Sequence, residues 1–262
     1  MLIVALKLAL APSFIAATSL VARRFGSGLG GVFGGLPAIA GPILLIIALQ
    51  HGADFASDAA TGTLLGVVAL GVFVVAFVRL GRFGWPVALV GSWTSFLLAV
   101  AVLQPVHLGA GPALAAALAA LAATLRLLPR KPRLDDLAHQ RRGDLLLRAA
   151  TTVVPILAVT AAARLLGPHL SGLLAAFPII TPVLAAFTYA QHGPDEATRL
   201  LRGFTIGFVA YALFCFVLAV TLDRIGTADA FVLATAVALL AQLAALLITR
   251  ASERTRENAV AT

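Results

Sequence analysis

The chain has 262 residues, of which 61% are hydrophobic and only 11% are charged, and its mean hydropathy is +1.02. About a quarter of the residues in a soluble domain are charged, so this composition excludes a soluble protein and predicts an integral membrane protein. The single cysteine, Cys215, excludes a disulfide framework and a cysteine-based metal site. We assign the formal net charge of +8 to cytoplasmic loops rather than to a nucleic-acid partner.

Nine stretches of the chain are apolar enough, and at about 20 residues long enough, to cross a bilayer as helices. In chain order they cover residues 2–22, 28–50, 61–80, 85–103, 108–128, 145–163, 170–191, 201–222 and 230–249. The sequence therefore predicts an all-α polytopic membrane protein with nine transmembrane helices. We expect the first helix to be retained, because Arg23 and Arg24 follow it where a signal peptide would have its small-residue cleavage site.

The basic residues test this helix count, because every second loop must lie on the same side of the membrane. Most of the 19 Lys and Arg residues fall in one set of alternate loops and in the C-terminal tail. The other set of segments holds only Lys7, Arg164 and Arg224. The positive-inside rule then predicts that the N-terminus lies outside and the C-terminus lies in the cytoplasm.

The second half of the chain repeats the first at an offset of 141 residues, with 14 identities over the 45 positions from 22 to 66. The matches include Pro37 with Pro178, and the tripeptide Gln-His-Gly at 50–52 with the same tripeptide at 191–193. Five helices separate the copies, so we predict two inverted four-helix repeats, helices 1–4 and 6–9, joined by linker helix 5. The predicted divisions are 1–104 for the first repeat, 105–144 for the linker helix and a basic cytoplasmic loop, 145–250 for the second repeat and 251–262 for a cytoplasmic tail.

Each half has a Lys- or Arg-bearing helix, an Arg-containing turn, and a Gly-rich stretch that leads to Leu-Pro or Phe-Pro. These features are carried by Lys7, Arg23 and residues 30–37, and by Arg148, Arg164 and residues 172–181. This order resembles the small four-helix bacterial inner-membrane proteins of the GlpM type, some of which are linked genetically to exopolysaccharide production. The resemblance implies two fused copies and a bacterial inner membrane. The chain departs from that pattern by carrying Gln-His-Gly where an acidic residue often sits.

Prolines near the middle of predicted helices 2 and 7 indicate a candidate substrate site. Pro37 and Pro178 each remove one helical hydrogen bond and free a carbonyl four residues earlier, that of Phe33 or Leu174. Broken backbone at that depth must be satisfied by protein or line a watery cavity. We expect breaks at 35–42 and 176–182, although proline kinks that only help the helices pack explain the pattern equally well. The candidate substrate-binding residues are Gly35, Pro37, Gly41, Pro42, Pro178, Thr181, Pro182 and Trp93.

Charged and titratable residues near the helix ends are candidates for gating or coupling. Lys7 and Arg148 occupy equivalent positions in the two copies, where they either attract an anionic group or extend to the interface. The Gln-His-Gly motif either caps two helices through a left-handed glycine or supplies proton relays. The gating or coupling candidates are Lys7, Arg148, Gln50, His51, Asp54, Gln191, His192 and Asp195.

Inverted repeats are typical of transporters, because two similar packings give outward-open and inward-open states of near-equal energy. We therefore expect a secondary transporter or exporter of a small uncharged, amphipathic or anionic solute. The alternative is a non-transporting membrane scaffold or an accessory subunit for lipid or polysaccharide export. The sequence predicts no enzyme, no cofactor and no metal site, since no predicted span contains Asp or Glu. The expected partners are the lipid bilayer and an unidentified solute, and a homodimer is left open.

Overall fold

The computed structural model describes Thr18 and residues 20–22, 24–37, 40–129, 176–178 and 180–260. Every regular element in these ranges is helical. The helices are α1 (Ser27–Gly34), α2 (Ala40–His51), α3 (Ala53–Leu80), α4 (Trp85–Leu103), α5 (Ala110–Leu127), α6 (Ile180–His192), α7 (Pro194–Ile225) and α8 (Thr227–Val260), with a 3-10 turn, Gly81–Phe83, after α3.

Five helices in the described part of the chain are long and apolar enough to cross a membrane. They are Ala53–Phe83, Trp85–Leu103, Ala110–Leu127, Pro194–Ile225 and Thr227–Thr249. These helices support the prediction of a membrane protein. Predicted span 145–163 and most of span 2–22 lie outside the described residues, so the count of nine stays a prediction.

The predicted spans 28–50 and 170–191 are not continuous helices where the structure describes them. Residues 35–37 separate α1 from α2, and residues 176–178 precede α6 without helical structure. Pro42 and Pro182, which we expected to extend the breaks, lie instead in the first turns of α2 and α6. Proline fits there because the first N–H groups of a helix have no partner within it.

The long helices α3 and α7 begin earlier than hydropathy alone predicts. They start at Ala53 and Pro194, rather than at residues 61 and 201. Asp54, Asp195 and Glu196 lie in their first turns, where the positive end of the helix dipole stabilises carboxylates. A hydropathy window rejects such polar turns, although they are good helix starts.

Helix α8 continues to Val260, through most of the predicted tail 251–262. Residues 250–260 are polar but contain no glycine or proline. The apolar segment therefore ends before the helix does, because nothing in the following sequence terminates the backbone hydrogen bonding.

Helices α3 and α7 form the centre of the described bundle and run antiparallel. Ser57, near the start of α3, donates to the carbonyl of Ala219 near the end of α7, at 2.8 Å. Gly81, directly after α3, accepts a bond of 2.8 Å from the hydroxyl of Tyr189, just ahead of α7. Four fully buried phenylalanines fill the space around these helices: Phe73, Phe77, Phe96 and Phe204.

Helices α1 and α7 lie parallel and touch backbone to backbone through glycines. A Cβ added to Gly31 would lie 3.0 Å from the Cα of Gly203, and one added to Gly35 would lie 2.6 Å from the Cα of Gly207. Within α1, Gly31 and Gly35 have the Gly-xxx-Gly spacing that lets membrane helices approach closely, and within α7 so do Gly203 and Gly207. This contact places the end of α1, and with it the first helix break, against the middle of α7.

Several arginines lie at one end of the bundle, and a cluster of three carboxylates lies at the other. Arg79 and Arg82 flank Gly81, which is bonded to Tyr189 near the start of α7. Arg202, two turns into α7, reaches the carbonyls of Leu125 and Leu128 at the end of α5. Three carboxylates lie close together at the opposite end, those of Asp54, Asp58 and Asp223.

Candidate functional site

The first helix break keeps its backbone hydrogen bonded in a different pattern. The N–H of Gly35 donates to the carbonyls of Gly31 and Val32, at 3.1 and 3.2 Å. The N–H of Leu36 donates to the carbonyl of Phe33 at 3.3 Å, so this carbonyl is not freed as we expected. Pro37 has no N–H group to donate. The last turn of α1 is tighter than an α-helical turn, so the N–H of Leu36 is the donor to Phe33 instead.

The carbonyl of Pro37 begins the next helix by accepting the N–H of Gly41 at 2.8 Å. The side chain of Gln242 on α8 donates to the carbonyl of Val32, on the last turn of α1. Hydrogen bonds therefore fix the backbone before the break, at Val32, and after it, at Pro37. Leu174, whose carbonyl we expected to be freed in the second copy, lies outside the described residues.

The two helix breaks face one cavity, which has a volume of about 60 Å³. Both Pro37 and Pro178 line it. The remaining lining residues in the described part of the chain are Gly34, Gly35, Leu36, Ala40, Leu70, Ala176, Phe177, Ile180, Thr181, Phe208 and Tyr211.

The cavity lies midway along the two central helices. Phe208 and Tyr211 lie on either side of the midpoint of α7, and Leu70 lies near the middle of α3. Helices α3 and α7 are long enough to span the hydrocarbon core, which is about 30 Å thick. A bilayer crossed by these two helices would have the cavity near its midplane, where lipid offers no hydrogen bonds.

Tyr211 carries an unsatisfied polar group in the wall of this cavity. The residue is 6% exposed, and its hydroxyl finds no hydrogen-bond partner in the described part of the chain. Leaving such a group unpaired costs about 1–3 kcal/mol. The second side-chain hydroxyl in the wall is that of Thr181, which is 4% exposed.

Aromatic rings build one side of the cavity. Phe177, in the second break, stacks on Trp93 with ring centroids 6.5 Å apart and meets Phe96 edge-on at 5.5 Å. Trp93 therefore packs against Phe177, which lines the cavity, but Trp93 is not itself among the described residues that line it. Its buried Nε1 finds no partner in the part of the chain that the structure describes.

Two helix N-termini meet at the cavity, because α2 begins at Ala40 and α6 begins at Ile180, and both residues line it. Among the other predicted site residues, Gly41 is near the ring of Phe214, at 3.4 Å from an added Cβ, and does not line the cavity. Four of the eight predicted substrate-binding residues thus line the cavity: Gly35, Pro37, Pro178 and Thr181.

The Gln-His-Gly motif separates α2 from α3 and α6 from α7 by a single glycine. Gly52 and Gly193 have φ values of 90° and 88°, as we expected, and their N–H groups close the preceding helices on Ala48 and Tyr189. Their ψ values of 172° and 175° place them in an extended conformation reserved for glycine rather than in the left-handed helical region. Each glycine therefore ends one helix and begins the next.

The polar side chains of the motif lie at helix ends, away from the cavity. Gln50, His51, Gln191 and His192 are exposed, and the ring of His51 stacks on Phe55 at 4.8 Å. Asp54 and Asp195 lie in the first turns of α3 and α7. The described residues contain no group of three His, Cys, Asp or Glu side chains that could hold a metal. Lys7 and Arg148 lie outside the described residues.

Sequence reasoning missed the residues of the central helices that complete the wall. Tyr211 was one of several intramembrane polar residues without a distinguishing position, and Leu70 and Phe208 are apolar residues within long apolar helices. Only the packing of α1 and α3 against α7 brings them to the breaks. An orphaned hydroxyl group is visible only once its surroundings are known.

Comparison with known protein families, with curated proteins and with solved structures gives no match to this chain.

Proposed function

We propose that this protein is a secondary transporter or exporter of a small solute that works by alternating access. The observation that carries the proposal is the cavity lined by both helix breaks, midway along α3 and α7. Transporters of this kind bind substrate near the bilayer midplane, where discontinuous helices from two repeats meet. No charged side chain lines the cavity in the described residues, which favours an uncharged, amphipathic or small anionic solute.

We propose further that the two halves are inverted copies of one bundle. The order of break, short helix, single glycine and long helix occurs twice, as α2–α3 and as α6–α7. Gly62 of α3 corresponds to Gly203 of α7 in the sequence repeat. The antiparallel course of these two helices is what inversion requires of equivalent elements, and it supports the proposal.

The orientation that we propose has an outer N-terminus and a cytoplasmic C-terminus. Arg79, Arg82, Arg126 and Arg202 belong to one end of the bundle, which the positive-inside rule assigns to the cytoplasm. The resemblance of each half to the GlpM type supports the bacterial inner membrane. Among the described residues, the proposed gating or coupling groups lie at opposite ends of the bundle: Gln50, His51 and Asp54 at one end, and Gln191, His192 and Asp195 at the other.

Reconstitution into liposomes tests the transport function directly. The purified protein should move at least one member of a panel of small labelled solutes, and Pro37→Ala or Pro178→Ala should reduce the flux without loss of folding, because each substitution allows helix to form across a break. Pro105→Ala is the matched control, since Pro105 is exposed in the connection between α4 and α5 and should be neutral.

Cross-linking tests alternating access. Ser57→Cys and Ala219→Cys, in a Cys215→Ala background, place two thiols where α3 and α7 are joined by a 2.8 Å hydrogen bond. A short thiol cross-linker should stop flux, and reduction should restore it, because the two halves can no longer separate at that end. Undiminished flux in the cross-linked protein would refute alternating access. Failure to move any solute would favour the scaffold or accessory role.

A further inference from the structure

We propose that the cavity between the two helix breaks binds a monovalent anion of halide or formate size. This inference deepens the proposed transport function and rests on the same site. It depends on the sign of the electrostatic potential in the cavity, on one buried hydroxyl group, and on the volume available.

Two helix N-termini contribute positive partial charge at the cavity. Helix α2 has 12 residues and begins at Ala40, and α6 has 13 residues and begins at Ile180. Both first residues line the cavity. The N-terminus of a helix carries a partial positive charge of about half a unit and favours an anion.

The helix C-terminus that the structure describes at the cavity, that of α1, is engaged by protein donors. Helix α1 ends at Gly34, and its last carbonyls would repel an anion if they were free. The N–H groups of Gly35 and Leu36 donate to carbonyls of this turn, and Gln242 donates to the carbonyl of Val32. The described carbonyls of Gly31, Val32 and Phe33 at the negative end of α1 thus have protein donors.

The hydroxyl group of Tyr211 supplies an independent indication of a ligand. Tyr211 lines the cavity, and its buried hydroxyl, a group that can donate a strong bond to an anion, has no partner among the described residues. Thr181, in the first turn of α6, brings a second hydroxyl to the same wall.

Charge and volume restrict the class of anion. Aspartate and glutamate side chains in the described residues lie near helix ends, as at Asp54 and Glu196, and none lines the cavity. No basic side chain lines it either, so binding is weak enough to permit release. A volume of about 60 Å³ suits a small anion such as a halide or formate.

Thermal unfolding of the purified full chain in detergent tests the site without requiring transport. Sodium chloride should raise the melting temperature with a saturable dependence on concentration, at an ionic strength held constant with sodium gluconate, whose anion is too large to enter. Tyr211→Phe should raise the apparent chloride dissociation constant about 10-fold, since a hydrogen bond to a charged group is lost.

Tyr189→Phe is the matched control, because Tyr189 is the other tyrosine of the chain and bonds to Gly81 at a helix end. This variant should keep the chloride response. Equal responses to chloride and gluconate, or a chloride response unchanged in Tyr211→Phe, would overturn the anion site.

Chloride and neutral-solute uptake by liposomes separates this inference from the function on which it rests. Saturable, Tyr211-dependent chloride binding without flux of any solute would leave the anion site standing and remove the transport proposal. Transport of an uncharged solute by protein that shows no chloride response would do the reverse.

Discussion

Gly35 of α1 lies against Gly207 of α7 so closely that a Cβ on Gly35 would be 2.6 Å from the Cα of Gly207 and 2.9 Å from the N of Phe208. This contact holds the broken end of one helix against the centre of another. Because neither glycine has a side chain, the space beside the break is left open as part of the cavity. The position of the proposed site thus depends on a pair of residues without side chains.

Gly207→Ala should destabilise the protein by about 1–3 kcal/mol, because the added methyl group meets the backbone of α1 at Val32 and Gly35. Unfolding in detergent, followed by circular dichroism, measures the change. The same substitution at Gly111, which has open space around it within α5, should be neutral or stabilise by up to about 1 kcal/mol. Equal effects of both variants would contradict the close approach of α1 and α7.

Tyr211→Phe should leave the stability unchanged or raise it by about 1 kcal/mol when no ligand is present. The substitution removes a buried hydroxyl that has no partner among the described residues. Tyr189→Phe, in contrast, should cost about 0.5–1.5 kcal/mol, since it deletes the 2.8 Å bond to Gly81. Thermal unfolding in chloride-free buffer compares the two, and a larger loss at Tyr211 would show that its hydroxyl is paired.

Gln242→Leu should lower the free energy of unfolding by about 0.6–1.7 kcal/mol, the range for hydrogen bonds between membrane helices. The value should fall near the lower limit, because the carbonyl of Val32 still accepts the N–H of Gly35 and because the substitution also removes the buried Oε1 of Gln242, which has no partner among the described residues. Gln104→Leu, at the exposed end of α4, is the control and should change little. No loss at Gln242 would mean that its side chain does not hold α1.

Arg202→Ala should destabilise the end of α5 by about 1.5–3 kcal/mol. Its guanidinium donates to the carbonyls of Leu125 at 3.2 Å and Leu128 at 3.1 Å, which are otherwise the unpaired negative end of the helix. Hydrogen exchange of residues 121–128 should accelerate. Arg199→Ala is the control, because Arg199 is 56% exposed and its 2.9 Å ion pair with Glu196 should contribute less than about 1 kcal/mol. A similar acceleration of hydrogen exchange in both variants would contradict the role of Arg202 in capping the end of α5.

Patterns that act within one helix were predictable. Pro37 and Pro178 indicated the two breaks, because proline removes its own hydrogen bond wherever the chain goes. The positive φ of Gly52 and Gly193 followed from their position after a helix. The breaks are nevertheless shorter than predicted, since Pro42 and Pro182 begin helices rather than interrupt them. The sequence around a proline does not show whether it lies in the first turn of a helix or interrupts one.

The ends of the long helices were placed wrongly for a related reason. Hydropathy measures transfer into lipid, whereas the start of α3 at Ala53 depends on backbone geometry at Gly52 and on a carboxylate at the helix N-terminus. The first turns of α3 and α7 are polar but helical, so hydropathy places the starts of these helices too late.

Sequence alone determined that this chain is a helical membrane protein with a repeated, twice-broken plan, because hydropathy, proline chemistry and internal likeness are local properties. Tertiary structure alone decided that the two breaks meet at one cavity, that Tyr211 stands there without a partner, and that Trp93 is set behind Phe177. Those facts depend on how closely α1 approaches α7. That distance is decided by the mutual fit of glycines far apart in the chain, which no single segment encodes.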